Sequence, residues 1–317
     1  MKKLRILLAI ALIATILVSC EKETFDAPFV IEGITIDNYP KVDGSTSTDP
    51  LHRLIACKLL GFNYEWMQEI AMNEIWFLRT DIPESFFKEH LMLSQTHNAF
   101  LNLIDEKADL ILSARKMSSD EKAYASNTGV NLIETPIALD AFIFIANNDN
   151  PLKSLTTKQI QDIYTGKITN WKDVGGNNNK INPYIRNPNS GSQELMETLV
   201  MQGLEIGDWT VDYESEWMVP SMFQVFSTLR YDSNGLGYTV YYYKEQIVRD
   251  KIVKSISVNG VYPDKTTIKN RKYPYVAEVY AVIRSDLDKS SMAYKLYELL
   301  LSGAAKSVIT ESGYIPN

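Results

Sequence analysis

The residues best suited to chemistry in this chain stand together in Arg186-Asn187-Pro188-Asn189-Ser190-Gly191-Ser192, ahead of Gln193-Glu194-Leu195-Met196-Glu197-Thr198-Leu199-Val200. Ser190 and Gln193 have the spacing of a capping box, and Leu195, Met196, Leu199 and Val200 recur at helical intervals, so the pattern predicts a helix capped by Ser190. The first amides of a helix have no intrahelical partner, and its dipole favours negative charge at that end. Gly191 lets the backbone lie close to whatever sits there. Arg186 offers a permanently charged planar fork, and the Ser190 and Ser192 hydroxyls add short donors that suit a tetrahedral oxyanion. The plainer alternative is an ordinary helix cap beside a surface arginine.

Two further stretches repeat the arrangement. Ile34-Thr35-Ile36 reads as a strand running into Val42-Asp43-Gly44-Ser45-Thr46-Ser47-Thr48-Asp49-Pro50, after which residues 52–60 look like an amphipathic helix. A strand, a glycine- and hydroxyl-rich loop and a helix is the geometry of an oxyanion site, against the alternative of a polar turn. Leu91-Met92-Leu93-Ser94-Gln95-Thr96-His97-Asn98 likewise leads into a helical pattern over 99–104, and residues 108–113 then read as a buried strand ending in Ala114-Arg115-Lys116. The alternation argues for α/β architecture with ligands at the carboxyl ends of strands, and for one convergent site. The apolar run 137–146 is longer than one lobe requires and could cross between lobes. Residues 155–164 read as a capped helix, and the Asn/Gly cluster 175–179 as an exposed turn.

The amino terminus has the form of an export signal: Lys2, Lys3 and Arg5, a short apolar core over 6–18, then Leu17-Val18-Ser19-Cys20. The last four residues resemble a bacterial lipobox, which implies cleavage before Cys20 and its lipidation. Two or more acyl chains hold a protein stably on a membrane surface. The second of the two cysteines, Cys57, is then left without a disulfide partner and is expected to be a buried small hydrophobe. His52, His90 and His97 show no metal-ligand spacing, so no metal and no cofactor are expected. A formal net charge of −7, more acidic still without the signal, argues against nucleic acid as a partner. It does not argue against anion binding, because short-range hydrogen bonds at a desolvated site outweigh a screened field.

At this point the chain resembles the substrate-binding proteins of phosphate-type ABC transporters. The resemblance runs from about Val42 to the carboxyl terminus and rests on signatures in a fixed order. They are Asp43-Gly44-Ser45-Thr46-Ser47, the Ile/Tyr/Gly/Ile/Trp pattern within 160–171, Arg186-x-x-x-Ser190-Gly191-Ser192, Gly235-Leu236-Gly237-Tyr238, Tyr273-Pro274 and Gly313-Tyr314-Ile315-Pro316. It implies an α/β, two-lobed type II periplasmic-binding-protein fold with a ligand cleft between lobes. The first lobe is expected over 28–139 and 275–317 and the second over 140–274, behind a signal peptide at 1–19 and a tether at 20–27. Residues 62–90, with Trp66, Trp76, Phe86 and Phe87, match the family least and are expected to cover core rather than stack a ligand.

The resemblance further implies ligand contacts from Thr46, Ser47, Thr96, Arg186, Ser190, Gly191 and Ser192, with Ser45 and Ser94 as adjacent candidates. Many phosphate binders carry an aspartate after the strand that here ends in Ser113-Ala114-Arg115. A carboxylate there repels fully ionised sulfate and accepts a hydrogen bond from protonated phosphate, so its absence bears on selectivity. Arg115 is either a second cation at the site or directed to solvent. The implied function is a lipid-anchored, exported, non-enzymatic and monomeric protein that captures phosphate or a similar oxyanion for an ABC permease at a bacterial membrane. Two other readings are a signalling or adhesion lipoprotein that retains the fold, and a hydrolase using a clustered serine with His97 as base. The last lacks a Gly-x-Ser-x-Gly elbow.

Overall fold

The computed structural model describes residues 28–69, 75–208 and 222–317. The expected signal peptide (1–19), tether (20–27) and lipid-bearing Cys20 lie outside them. The chain enters its sheet at β1 (Val42–Gly44), not at Ile34-Thr35-Ile36. Among the described residues no strand pairs with that β-branched run. A 3-10 turn over Ile36–Asn38 takes its place, closed by the Thr35 N–H donating to Asn38 Oδ1 at 2.7 Å, with Ile36 exposed. Strand propensity without a neighbour to pair with does not make a strand.

Helix α1 (Asp49–Leu60) follows, with Pro50 in its first turn and Gly61 closing it in the left-handed conformation. Strands β2 (Tyr64–Gln68) and β3 (Trp76–Thr80) form a separate antiparallel hairpin. Next come α2 (Glu84–His90), α3 (Gln95–Ile104), β4 (Leu110–Ser113) and α4 (Ser119–Thr128). The chain continues through β5 (Leu132–Asn147), β6 (Ser154–Leu155), α5 (Thr157–Tyr164) and β7 (Asn182–Pro183). Helix α6 (Gly191–Leu195) runs on as a π-helical stretch, Met196–Met201. Further along come α7 (Gln224–Tyr231), β8 (Gly235–Val240), a π-helical turn Tyr243–Ile247, β9 (Val253–Val258), α8 (Lys265–Lys269), β10 (Val276–Arg284), α9 (Met292–Leu301), α10 (Ala305–Ser312) and β11 (Ile315–Pro316).

Strand order is β1-β4-β10-β5-β8-β7, with β9 and β11 also on β5 and β6 on β9. The 16-residue β5 joins two lobes. Its residues 132–141 pair with β10, whereas Phe142–Asn147 pair with β8 and β9. Each lobe has its own apolar core. One is built from residues such as Leu51, Phe86, Leu110, Val279 and Val308, the other from Phe142, Phe144, Tyr164, Trp171 and Phe226. Tyr164 and Trp171, from the Ile-to-Trp signature, are thus packing residues. Trp171 is fully buried and gives its indole N–H to the Asn234 carbonyl at 3.0 Å. Cys57 is buried and, among the described residues, has no disulfide partner. Phe86 packs against Tyr39 and His90 in the first core, and the Trp76 ring lies under the Arg249 guanidinium.

Where β5 passes from one pairing to the other, Asp140 Oδ1 accepts the Ala141 and Tyr242 N–H groups at 2.8 and 2.9 Å. The Tyr242 ring stacks on Tyr314 at 3.6 Å, and the Tyr314 hydroxyl donates to the Ser47 carbonyl at 3.0 Å. The crossing is therefore wired to the first hydroxyl-rich loop by direct contacts.

Candidate functional site

Three loops meet at a cavity of about 260 Å³ in the cleft. That is below the roughly 300–1,000 Å³ of sites for drug-sized ligands and suits a small ion. Each loop leads into a helix, so amides without intrahelical partners gather around one space. Ser45, Thr46 and Ser47 come from the turn before α1, Gln95, Thr96, His97 and Asn98 from the start of α3, and Arg186 to Ser192 from the approach to α6. Arg186 and His97 are the ionisable side chains among the described lining residues, and among the described residues no carboxylate lines the space. Neutral donors plus the Arg186 cation make an environment for an anion that is held by hydrogen bonds rather than attacked.

The loops are held from behind. Buried Asp43 accepts the Gly44 and Ser94 N–H groups at 2.7 and 2.9 Å on one oxygen and the Asn102 amide at 2.8 Å on the other, which pins the start of α3 to β1. Ser45 Oγ accepts the Ala114 N–H at 3.0 Å and shares a hydrogen with Thr96 Oγ1 at 2.9 Å. Thr48 donates to the carbonyls of Ser45 and Leu112 at 2.8 and 3.1 Å.

On the other lobe Ser190 caps α6 through a bond from the Gln193 N–H to its Oγ at 3.2 Å, as the spacing predicts. The reciprocal half of the capping box is absent. Gln193 Oε1 instead accepts the Arg186 N–H at 3.1 Å and the Tyr238 hydroxyl, and its Nε2 donates to Glu197 at 2.8 Å. Tyr238 also accepts the Arg186 N–H at 3.0 Å, and burial pushes its hydroxyl well above the ordinary range, so it remains a protonated donor. Gly235 and Gly237 leave no room for a Cβ against Leu229 and Val225. The Gly-Leu-Gly-Tyr signature therefore packs a helix close to β8 and sets the Arg186 backbone.

Thr46, Ser47, Thr96, Arg186, Ser190, Gly191 and Ser192 all line the cavity, as does Ser45. Ser94 does not: its hydroxyl accepts the Asn102 amide at 3.1 Å, and it acts as part of the loop's brace. Both expectations for Arg115 need correction. The side chain is 3% exposed, so it is not directed to solvent, and it forms two 2.7 Å bonds with buried Glu121 outside the cavity lining. Its Nη2 reaches across the cleft to the Asn189 carbonyl at 3.2 Å. Burial alone would raise the Glu121 carboxyl, but Arg115, the Ser118 N–H and His97 outweigh it and hold the group below the usual carboxylate range.

His97 Nδ1 bonds Glu121 at 2.9 Å, a pairing that hydrolases also use, yet among the described residues no serine hydroxyl is hydrogen-bonded to the ring. The spacing of 97, 115 and 121 carries no signal that links them. Trp66, Trp76, Phe86 and Phe87 are absent from the cavity.

A family model described as a PBP superfamily domain matches residues 93–308. The phosphate-binding protein PstS of Borreliella burgdorferi is 25% identical over 207 residues, 65% of this chain and 71% of its own length. PstS of Staphylococcus epidermidis is 29% identical over 230 residues, 69% of this chain and 67% of its own. An ABC-type phosphate transport receptor from Vibrio cholerae superposes with a TM-score of 0.60 at 23% identity, covering 87% of this chain and 99% of that one. At such identity the last likeness shows the fold alone.

Proposed function

The chain belongs to the PBP superfamily, and from that membership we propose that it is an extracytoplasmic binding protein that captures phosphate or a similar tetrahedral oxyanion for an ABC permease. The observation that carries the reading is the cleft cavity lined by hydroxyl side chains, residues at helix starts and Arg186. Relatives named as phosphate-binding proteins support the ligand class and a role in binding rather than in catalysis. Anchoring through Cys20 and a monomeric state belong to the proposal. So does the division into lobes at 28–139 with 275–317 and at 140–274, with closure by bending near Asp140. Among the described residues no helix is long and apolar enough to cross a membrane.

Micromolar affinity requires about 8 kcal/mol, and hydrogen bonds to a charged partner contribute roughly 1.5–3 kcal/mol each. Four or five aligned donors suffice. Calorimetric titration of the ligand-stripped protein with phosphate and with sulfate tests the reading: binding of neither defeats it and favours the signalling or adhesion alternative. R186A is expected to weaken phosphate binding by about 10- to 100-fold, the loss of one charged hydrogen bond, and unchanged affinity would remove Arg186 from the site. A subtler variant probes closure. A Cβ on Gly191 would stand 2.8 Å from Thr96 Oγ1 of the opposite lobe, an atom already committed to Ser45. G191A should therefore cost about 1–3 kcal/mol of closed-state free energy and weaken phosphate binding, while the melting temperature without ligand stays put because opening relieves the clash. Equal loss in both measurements would show a folding defect instead.

A further inference from the structure

Among the described residues that line the cavity, His97 alone carries a ring nitrogen that can either give or accept a hydrogen. Its orientation is fixed. Glu121 is fully buried, held ionised by Arg115 and the Ser118 N–H, and an ionised carboxylate only accepts hydrogen bonds. The 2.9 Å contact therefore places a hydrogen on His97 Nδ1, which leaves Nε2 with the lone pair whenever the ring is neutral. His97 lines the cavity, and Nε2 makes no hydrogen bond to the described residues.

Resting on the oxyanion reading above, we infer that His97 Nε2 distinguishes a protonated oxyanion such as hydrogen phosphate from a fully ionised one such as sulfate. A neutral Nε2 accepts the P–O–H hydrogen directly. Toward sulfate it presents lone pair to lone pair, and that contact becomes a hydrogen bond only after the ring takes one proton from solvent. Sulfate binding then carries a proton with it, whereas hydrogen phosphate brings its own.

The charged groups on the elements around α3 are consistent with this role. Glu121 on α4 and Arg115 after β4 pair with each other, and Glu194 on α6 lies within their field. Asp43 on β1 is saturated by Gly44, Ser94 and Asn102. Arg284 on β10 sits at the far end of α3, on the carbonyls of Leu103 and Ala108. Arg186 shares the cavity and is charged throughout the range. Among the described residues none of these lines the cavity as a proton acceptor.

The test is calorimetric titration of the purified protein with phosphate and with sulfate from about pH 5.5 to 9. Buffers of different ionisation enthalpy report protons taken up. The expected result at the alkaline end is about one proton taken up per sulfate and about none per phosphate, with the phosphate-to-sulfate affinity ratio rising about tenfold per pH unit. In H97Q, whose amide donates and accepts without titrating, the ratio should become independent of pH at the alkaline end, where phosphate has completed its second ionisation. Phosphate binding with a flat ratio and no proton uptake on sulfate overturns the inference and leaves the oxyanion reading standing, as does a sulfate affinity equally low at both ends of the range. Binding of neither ion overturns the oxyanion reading, and this inference with it.

Discussion

Replacing Glu121 with alanine is expected to cost about 3–5 kcal/mol of folding free energy, a large share of what a protein of this kind has to lose. The carboxylate has no exposed surface and receives two 2.7 Å bonds from Arg115, the Ser118 N–H at 2.8 Å and the His97 ring. Removing it strands a guanidinium that is almost wholly buried and whose Nε already has no acceptor. The net worth of the pair is a separate quantity, because bringing both charges out of water was itself costly. The double variant R115M/E121L should accordingly recover most of the loss, and urea unfolding of the two variants beside wild type measures the difference. A double variant as unstable as E121A would show that the pair contributes more than the avoidance of a lone charge.

Asp140 offers an effect of similar size that varies with pH. Burial pushes its carboxyl up to about 7, although the Tyr242 and Ala141 N–H groups pull in the opposite direction, and its Oδ2 has no hydrogen-bond partner. In the unfolded chain an aspartate titrates near 3.9. The folded state therefore binds this proton more tightly. Its contribution to stability is fully present below about pH 4 and is lost as pH rises through about 7, a change of about 4 kcal/mol for a shift of this order. D140N keeps Oδ1 as acceptor for both amides but cannot ionise. Relative to wild type it should gain about 4 kcal/mol between pH 4 and pH 8. Unfolding free energies of the two proteins measured across that range give the comparison, and a constant difference would mean that Asp140 is already ionised in the fold.

The approach to the site was readable in the sequence because its chemistry is local. Hydroxyls at Ser45 to Ser47, Thr96 and Ser190 to Ser192 stand just before helical periodicity, and a helix start is a local pattern that places its own amides. Gly191 and Arg186 sit in the same short stretch. What escaped was whatever depends on distant partners. Ser94 and Thr96 are two residues apart, and which of them faces the cavity is decided by Asn102 and Asp43, not by the loop itself. Gln193 has the spacing to complete a capping box, but Tyr238 and the Arg186 backbone outcompete the Ser190 amide for its side chain. Ile34 to Ile36 has the composition of a strand and, among the described residues, no strand that pairs with it. The Arg115 guanidinium could not be placed because its partner, Glu121, belongs to a polar helix turn that in the sequence reads as solvent-facing.

The route of the chain through its sheet also sets an order of assembly. Strand β10, residues Val276–Arg284, lies between β4 and β5, and β11 pairs with β5 through Ile315 and Pro316. As the polypeptide is made, the lobe that begins first cannot close its sheet until β10 and β11 have appeared, whereas β5, β8 and β9 of the other lobe are already present. A nascent chain therefore carries an open edge on β4 and on the first half of β5 until β10 emerges. Losing the final strands would leave the lobe begun first incomplete and the later lobe largely whole. Export before folding, rather than after it, is the regime in which such a late-completed sheet is least exposed to premature pairing.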